Sequence, residues 1–424
     1  MDYKKILALC AALILNVGMS QAQEVVEYTP LDSAYMAELE AKMLEAERES
    51  KAQKVIDDYE DGLMRYEKSF HTDGLNYLIR GTVSSFRESN FRDHCEGTMK
   101  KYDKEFDYVD YGIACSPLAV TWGLKAFGVE SRSKTDRMIM ANALALGLSI
   151  GLSSGLKSIV DERRPNGENS ESMPSRHAAL AFASATILHR EYGHISPWIS
   201  VGGYATATAT QFLRLRHNAH WVNDVYIGAG IGAVSTNFAY FITDRILKDR
   251  INKPKATLED LRLTLQYNAL PSSLSLISGV ETGGDGRLNL SATFTSGLEY
   301  SHFFNPSFAM DVTARAATAH YYLKDDHSAC GNLDMYHLNT GVKFSQLVSP
   351  TMRCAFRAYG GGRYVDNGQL GIDRELKPEF GGGILINYMN KERYAVGISC
   401  DYNHTFSRWL KNRCVINMQW SIIL

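Results

Sequence analysis

Lysine and arginine side chains in the stretch KSIVDERRP are spaced in a way that suits anion chemistry. Lys157 and Arg164 are seven residues apart, about two helical turns, so both side chains point from one face if a helix continues through them. Pro165 is then expected to end that helix. Two cations on one face are suited to bind an anion such as a phosphate.

The stretch MPSRHAAL, residues 173–180, has the features of a helix start. Pro174 precedes Ser175, which is expected to cap the helix, and His177 falls in its first turn. The first turn of a helix offers free backbone N–H groups and the positive end of the helix dipole, which favour an anion. The alternative is an ordinary capped helix whose histidine is exposed.

A third stretch, RLRHNAHWVND at residues 214–224, combines a cation, a histidine and a carboxylate. His220 and Asp224 are four residues apart, and they are neighbours on a helix surface if the helix that continues as VYIGAGIGAV begins there. A carboxylate beside a histidine fixes its tautomer and raises its basicity, as in hydrolytic triads.

The three stretches together resemble the signature of a known superfamily. The pattern K-x6-RP, PS-x-H and R-x5-H-x3-D is similar to the three motifs of the type 2 phosphatidic acid phosphatases. That superfamily also holds the bacterial class A acid phosphatases and the vanadium haloperoxidases. The resemblance rests on nine specified residues at set spacings, covers about residues 75–250 and implies a helical phosphatase.

The resemblance implies a role for each matched residue. His220 is the expected nucleophile, forming a phosphohistidine, with Asp224 orienting it. His177 is the expected general acid for the leaving oxygen. The expected phosphate-binding residues are Lys157, Arg164, Ser175, Arg176 and Arg214. No metal and no cofactor are expected, because the cations offset the phosphate charge.

Two positions depart from the family pattern. Arg176 stands where the family usually has glycine, which lets backbone approach an anion closely. The arginine can still offer its N–H and adds a cation, so this departure bears on substrate preference. Leu213 stands where the family usually has serine, which bears on local hydrogen bonding. His217 lacks a matching partner and is expected to be a structural or surface residue.

The first 22 residues have the order of an export signal. Lys4 and Lys5 precede an uncharged run at 6–19, which is short for a transmembrane anchor, and cleavage is expected after Ala22. Residues 23–74 are charged and are expected to form a solvated helical segment, with a coiled-coil partner helix as the alternative.

Composition limits the partners. The net charge is -2 with mixed signs, so no nucleic-acid partner is expected. The chain has 23 tyrosines, which leaves room for a role at a membrane interface. Its cysteines are scattered without metal-ligand spacing, and export permits disulfides without the pattern requiring any.

Uncharged stretches recur within the predicted helical domain, residues 75–252, and suit closely packed helices because they are rich in Gly, Ala, Ser and Thr. They are Tyr111–Leu124, Met138–Leu156, Ile195–Leu213 and Val225–Thr243. Several are long enough to span a bilayer but are only mildly apolar, which leaves both a membrane bundle and a buried bundle open.

Residues 257–424 alternate between apolar and polar side chains with the period of a β-strand. In RLNLSATFTSGLEY, for example, Leu288, Leu290 and Phe294 alternate with polar residues, and the C-terminal strand repeats the pattern. Eight strands are predicted, at 259–278, 287–302, 307–322, 334–346, 351–364, 378–390, 393–406 and 412–424. Short and long connections alternate between them.

An even number of strands with this turn pattern resembles an outer-membrane β-barrel. Its apolar face, including Leu290 and Ile416, is then expected to meet lipid. A soluble β-sandwich or lipocalin-like barrel is the alternative, since the period alone does not distinguish inside from outside. Eight strands leave an interior filled by side chains, so we expect an anchor and not a pore.

The sequence therefore predicts an α + β multidomain protein, an all-helical phosphatase bundle followed by an eight-stranded antiparallel β-barrel. Export and the mild hydropathy of the helices favour a phosphatase domain in the periplasm, tethered to outer-membrane lipid. The expected substrate is a phosphorylated lipid, with a general acid phosphatase on small soluble esters as the alternative. The sequence also leaves open a vanadium haloperoxidase and a structural barrel with an inert helical domain.

Overall fold

The computed structural model describes residues 51–72, 74–95, 99, 105–248, 250–252, 272–283, 288–323, 330–349, 352–366, 374–389, 394–407 and 410–424. The predicted signal segment at 1–22, the start of the charged segment and the first part of the first predicted strand lie outside these residues. Residues 54–424 form one compact unit.

The N-terminal half is helical wherever the structure describes regular elements. Its helices are α1 (Lys51–Glu67), α2 (Leu75–Cys95), α3 (Glu105–Ala126), α4 (Thr135–Ile159), α5 (Arg176–Tyr192), α6 (Pro197–Arg216) and α7 (Val222–Ile246). The four uncharged stretches fall on α3, α4, α6 and α7. The predicted all-helical bundle is confirmed.

Helix α5 lies at the centre of the bundle and is crossed closely by α7. A Cβ atom added at Gly228 would lie 2.4 Å from the carbonyl oxygen of Ser175, and one added at Gly232 would lie 2.1 Å from that of Ala179. Both separations are too short for a side chain, so this crossing requires glycine at both positions. The crossing therefore fixes the first turn of α5 against α7.

The prediction that one helix continues from Lys157 to Arg164 is wrong. Helix α4 ends at Ile159, and the next residue is extended. The chain then folds back on itself, because Ser172 donates its backbone N–H to the carbonyl of Glu162 at 2.8 Å. Arg164 thus belongs to the loop that follows α4, and not to α4 itself.

The C-terminal half forms a closed antiparallel β-barrel. Its strands are β1 (Ser273–Gly283), β2 (Leu288–Leu290), β3 (Thr293–Asn305), β4 (Phe308–Leu323), β5 (Cys330–Ser349), β6 (Met352–Asp366), β7 (Glu375–Met389), β8 (Tyr394–Thr405) and β9 (Asn412–Ile423). Both β2 and β3 pair with β4, so they count as one interrupted strand, and β9 closes the barrel on β1. The predicted eight-stranded barrel is confirmed.

The two ends of the barrel differ in the length of their connections. At one end, here called the short-turn end, β3–β4 and β5–β6 are joined by the two-residue connections 306–307 and 350–351. At the other, the long-loop end, β4–β5 and β6–β7 are joined by 324–329 and 367–374. This difference is typical of outer-membrane barrels, whose longer loops are extracellular.

The barrel interior is charged. Glu299 accepts hydrogen bonds from Lys343 at 3.0 Å and from Arg357 at 2.7 Å, and Arg357 also pairs with Asp401. All four side chains are buried. A soluble lipocalin-like barrel would place its apolar face inside, so this interior argues against that alternative.

The opposite face of the strands carries an exposed apolar surface, here called the apolar belt. It comprises Leu298, Tyr300, Met310, Val312, Tyr336, Leu338, Val342, Phe344, Phe356, Leu376, Phe380, Ile384, Tyr388 and Tyr402. Leu338 and Phe356 each expose 63% of their surface. An apolar exterior around a polar interior is the arrangement of a membrane barrel.

One predicted lipid-facing residue lies elsewhere. Leu290 is buried in an apolar cluster with Tyr321, Leu333 and Met335, inside the barrel near its long-loop end. The reason is the interruption between β2 and β3. It shifts the alternation by one residue, so that even-numbered residues face inward in β2 and outward in β3. Phe294, beyond the interruption, faces outward.

Close packing of α5 on α7 generates a testable expectation for Gly232→Ala. The added Cβ must push the two helices apart, so we expect a loss of about 1–3 kcal/mol in stability. Gly151→Ala on α4 is the matched control, because nothing lies within 4 Å of a Cβ there. Thermal unfolding in detergent measures both, and equal midpoints for Gly232→Ala and the wild type would contradict the packing argument.

Candidate active site

His220 is held by a backbone carbonyl from a distant loop. Its Nδ1 lies 2.8 Å from the carbonyl oxygen of Ser172. Because a carbonyl only accepts, Nδ1 carries the proton and Nε2 carries the lone pair. The tautomer of His220, the predicted nucleophile, is thus set by the loop between α4 and α5.

Burial lowers the pKa of His220 to about 3, and the positive charges of Arg164 and Arg214 act in the same direction. Asp224 opposes this shift. The imidazole is therefore neutral across the physiological pH range, as a nucleophile requires.

Asp224 lies at the start of α7 and organises the residues on both sides of His220. Its Oδ2 accepts hydrogen bonds from the hydroxyl of Ser172 at 2.5 Å and from the backbone N–H of Trp221 at 2.8 Å. The same oxygen is 3.8 Å from Nδ1 of His220. Asp224 thus orients His220 mainly through these neighbours, with a longer direct contact.

His177 lies in the first turn of α5, which begins where the sequence predicts, with Ser175 as its cap. It is 7% exposed, and its ring centroid is 3.8 Å from that of Tyr111. Among the described residues, its buried Nε2 atom has no hydrogen-bond partner. A buried polar atom of this kind is costly unless a ligand satisfies it, which suits a residue that meets substrate oxygen.

The predicted phosphate-binding cations come from three elements. Lys157 lies in the last turn of α4, where Nζ donates to the carbonyl oxygen of Glu171. Arg164 lies in the following loop, and Arg214 lies in the last turn of α6. Both arginines are close enough to act electrostatically on His177 and His220. The structure therefore places the two arginines near both histidines, and it places Lys157 near Arg164 and Asp224.

Ser175 and Arg176 occupy different positions at the start of α5. The Ser175 hydroxyl is buried and accepts a long, 3.4 Å hydrogen bond from the N–H of Ala178. The Arg176 side chain is exposed and within electrostatic range of Lys157. Arg176 is therefore placed at the rim, where a second acidic group of a substrate could reach it.

Hydrogen bonds between the three motif segments hold the site together. Asn166 donates its backbone N–H to the carbonyl of Asn218 at 3.2 Å, and the Trp221 indole donates to the carbonyl of Arg163 at 2.8 Å. Ser175 donates its backbone N–H to the carbonyl of Asp224 at 3.0 Å.

Asp110 on α3 is a site residue that the sequence analysis missed. Its Oδ2 lies 2.8 Å from Nη1 of Arg214 and 3.1 Å from Nδ1 of His217. His217 is thus part of the wall of the site through this carboxylate. The available signal was that Asp110 is the acid directly before the uncharged stretch of α3.

Ser172 is a second site residue that was missed, because its contribution is partly a backbone carbonyl and leaves no mark in the sequence.

Within the described residues, no group of three or more His, Cys, Asp or Glu side chains is arranged to hold a metal ion.

Comparisons with known proteins bear on both halves of the chain. Residues 138–248 match the model of the PAP2 superfamily. A stretch of 201 residues is 34% identical to a lipid A 1-phosphatase of Porphyromonas gingivalis, covering 46% of this chain and 44% of that protein. The chain thus spans less than half the length of this curated relative.

Solved structures that resemble one half of the chain have low TM-scores. The PAP2-type phosphatidylglycerolphosphate phosphatase of Bacillus subtilis is 15% identical, with 42% of this chain and all of that chain covered and a TM-score of 0.27. Neisserial surface protein A is 12% identical, with 37% and 99% covered and a TM-score of 0.27. The chain carries a PAP2 superfamily domain, by the family match, and a barrel.

The environment of His220 predicts the pH dependence of its reaction. Since its folded-state pKa is about 3, the neutral form persists as pH falls through 6.5 and is lost only near pH 3. We therefore expect the rate of phosphoenzyme formation to be maintained when the pH is lowered to 5. This rate is measured by rapid alkaline quench and is corrected for ionisation of the substrate. The measurement uses His177→Gln, so that the other histidine does not titrate, and a midpoint near 6.5 would contradict the assignment.

Proposed function

We propose that this protein is a phosphatase that hydrolyses the phosphomonoester of a lipid through a phosphohistidine at His220. The observation that carries the proposal is that Arg164 and Arg214 act on two buried histidines, His177 and His220, and that the lone pair on Nε2 of His220 is fixed. Lys157 lies near Arg164 and Asp224 in the same site. The PAP2 match over residues 138–248 and the lipid A 1-phosphatase relative support the same reaction class.

In the first step, Nε2 of His220 attacks phosphorus and forms an N–P bond as the ester P–O bond breaks. The leaving oxygen takes a proton from His177, and the negative charge of the bound phosphate favours the protonated form of that histidine. The cations stabilise the charge on the non-bridging oxygens. In the second step, water attacks phosphorus, gives a proton to His177 and releases phosphate from His220.

A lipid ester is the proposed substrate for four reasons. The relative's name specifies a lipid phosphate. Tyr108 and Val109 are exposed apolar residues that suit an acyl chain, and they lie three and two residues before Tyr111, the ring partner of His177, on α3. Attachment to a membrane raises the local concentration of lipid substrates over soluble ones. Arg176 at the rim suits a second acidic group on the head of the lipid.

No metal is needed in this proposal, because the charge that a metal would offset is met by side chains. A chelator is therefore expected to leave turnover unchanged. Vanadate, which occupies the same kind of site as phosphate, is expected to compete with substrate without any added metal.

The barrel is proposed to hold the enzyme in an outer membrane after export. The apolar belt surrounding a charged interior supports this location, since the same belt in water would be an unusually large exposed apolar surface. The charged network fills the space between the strands, as expected for an anchor.

The chemistry is tested by single substitutions assayed for phosphate release. His220→Ala is expected to abolish turnover and the acid-labile phosphoenzyme. His177→Ala is expected to slow lipid esters by about 10²–10⁴-fold and a nitrophenyl ester much less, because nitrophenolate needs no proton to leave.

Arg163→Ala is the matched control, since its side chain is exposed and adjacent to Arg164. Near-normal turnover by His220→Ala, with Arg163→Ala also active, would overturn the assignment of the nucleophile.

The membrane barrel is tested by Leu338→Lys, in the central part of β5. A lysine facing the bilayer midplane is expected to cost about 2–4 kcal/mol, because its charge loses hydration. Leu338→Ile is the matched control. On a gel, an unheated sample of a folded barrel migrates differently from a boiled sample. The proportion of the two bands, for protein taken from detergent or vesicles, measures the folded fraction. A lysine variant as stable as the isoleucine variant would show that this face meets water.

A further inference from the structure

The helices of the PAP2 domain lie along the outside of the barrel. Tyr204 of α6 stacks on Trp420 of β9, with ring centroids 4.6 Å apart and planes within 9°. Arg80 of α2 donates to the carbonyl of Ser278 on β1 at 2.7 Å, and Tyr226 of α7 donates to that of Gly279 at 2.6 Å. These contacts cover outward positions of β9 and β1.

Helix α2 shows how far this contact extends. Near its start, the Tyr77 ring is 5.7 Å from that of Trp420, which pairs with Leu276 toward the short-turn end. At its other end, Cys95 forms a disulfide with Cys330, the first residue of β5 at the long-loop end. At about 1.5 Å per residue, the 18 residues between Tyr77 and Cys95 span about 27 Å. The helix therefore runs along most of the height of the barrel wall.

The catalytic pocket lies at the long-loop end. Asn218, two residues before His220, accepts a hydrogen bond at 2.8 Å from the side chain of Asn332 near the start of β5. The Trp221 ring, directly after the nucleophile, is 5.2 Å from that of His320 on β4. Both β-strand residues adjoin the long connection between β4 and β5.

The surface of α4 suits a bilayer beside the barrel. This helix has 25 residues, its apolar 18-residue segment has a mean hydropathy of 1.6, and only 28% of that segment is buried. At about 1.5 Å per residue it is about 37 Å long, enough to cross a hydrocarbon layer of about 30 Å. Its exposed residues include Ile139, Ile150 and Leu152, and nothing lies near a Cβ added at Gly151. A water-facing helix would carry polar residues at such positions.

We infer that the helical domain shares one bilayer with the barrel and that its catalytic pocket opens at the leaflet on the long-loop side. The substrate is then a lipid phosphate that enters from that leaflet, which in an outer-membrane barrel is the outer one. A periplasmic helical domain, expected from the mild hydropathy, would instead lie beyond the short turns. The inference rests on the proposed phosphatase function for its substrate.

The leaflet is tested with the full chain in lipid vesicles. A protease site placed in the long connection after β6 reports the fraction of molecules whose long loops face outward. A lipid phosphate is then added to the outer leaflet only, in preparations with different outward fractions. We expect the initial rate of phosphate release to rise in proportion to the cleavable fraction. A rate proportional to the protected fraction would overturn the inference.

An assay of the same protein in detergent separates the two proposals. If the protein is active in detergent but its rate in vesicles is proportional to the protected fraction, only the leaflet assignment is contradicted. No turnover of any ester in detergent contradicts the phosphatase proposal itself.

The position of α4 is tested by fluorescence, independently of activity. Ile150→Trp adds a fluorophore near the middle of α4, and Lys134→Trp adds one at its exposed N-terminal cap. We expect lipids brominated at mid-chain to quench the added signal of Ile150→Trp by at least twofold and that of Lys134→Trp little. Equal, weak quenching of both would place α4 in water and overturn the shared bilayer.

Discussion

Buried Asp224 joins the loop after α4, the start of α5 and the segment that carries His220, and the geometry of the site depends on it. Its side chain accepts hydrogen bonds from Ser172 in the loop after α4 and from Trp221 beside His220. Its backbone carbonyl accepts from the N–H of Ser175 at the start of α5. Because hydrogen bonds to a buried carboxylate are strong and costly to lose, these segments are held in one arrangement.

The glycine crossing of α5 and α7 makes that arrangement sterically possible. Asp224 is at the start of α7, and Gly228, one turn later, brings the α7 backbone against the carbonyl of Ser175. Helices that approach this closely place their first turns side by side. The result is that His177 on α5 and His220 before α7 lie within electrostatic range of each other.

The barrel has a charged interior and an apolar exterior. Its buried acids and arginines satisfy one another inside, so the apolar residues occupy the outer wall. Part of that wall is covered by α2, α6 and α7, and the rest is exposed as the apolar belt. A helical bundle attached to the outside of a membrane barrel must meet the surroundings that the barrel wall meets, which explains the apolar surface of α4.

The sequence by itself determined the helical bundle and the barrel strands and indicated the candidate site residues, because motif spacing and apolar period are local properties. Tertiary structure alone decided that Arg164 comes from a loop, that His220 is oriented by the carbonyl of Ser172, and that Asp110 pairs with Arg214. It also decided which barrel face is outside, since alternation is the same for either face. Each of these depends on groups far apart in the chain, whose contacts no local pattern records.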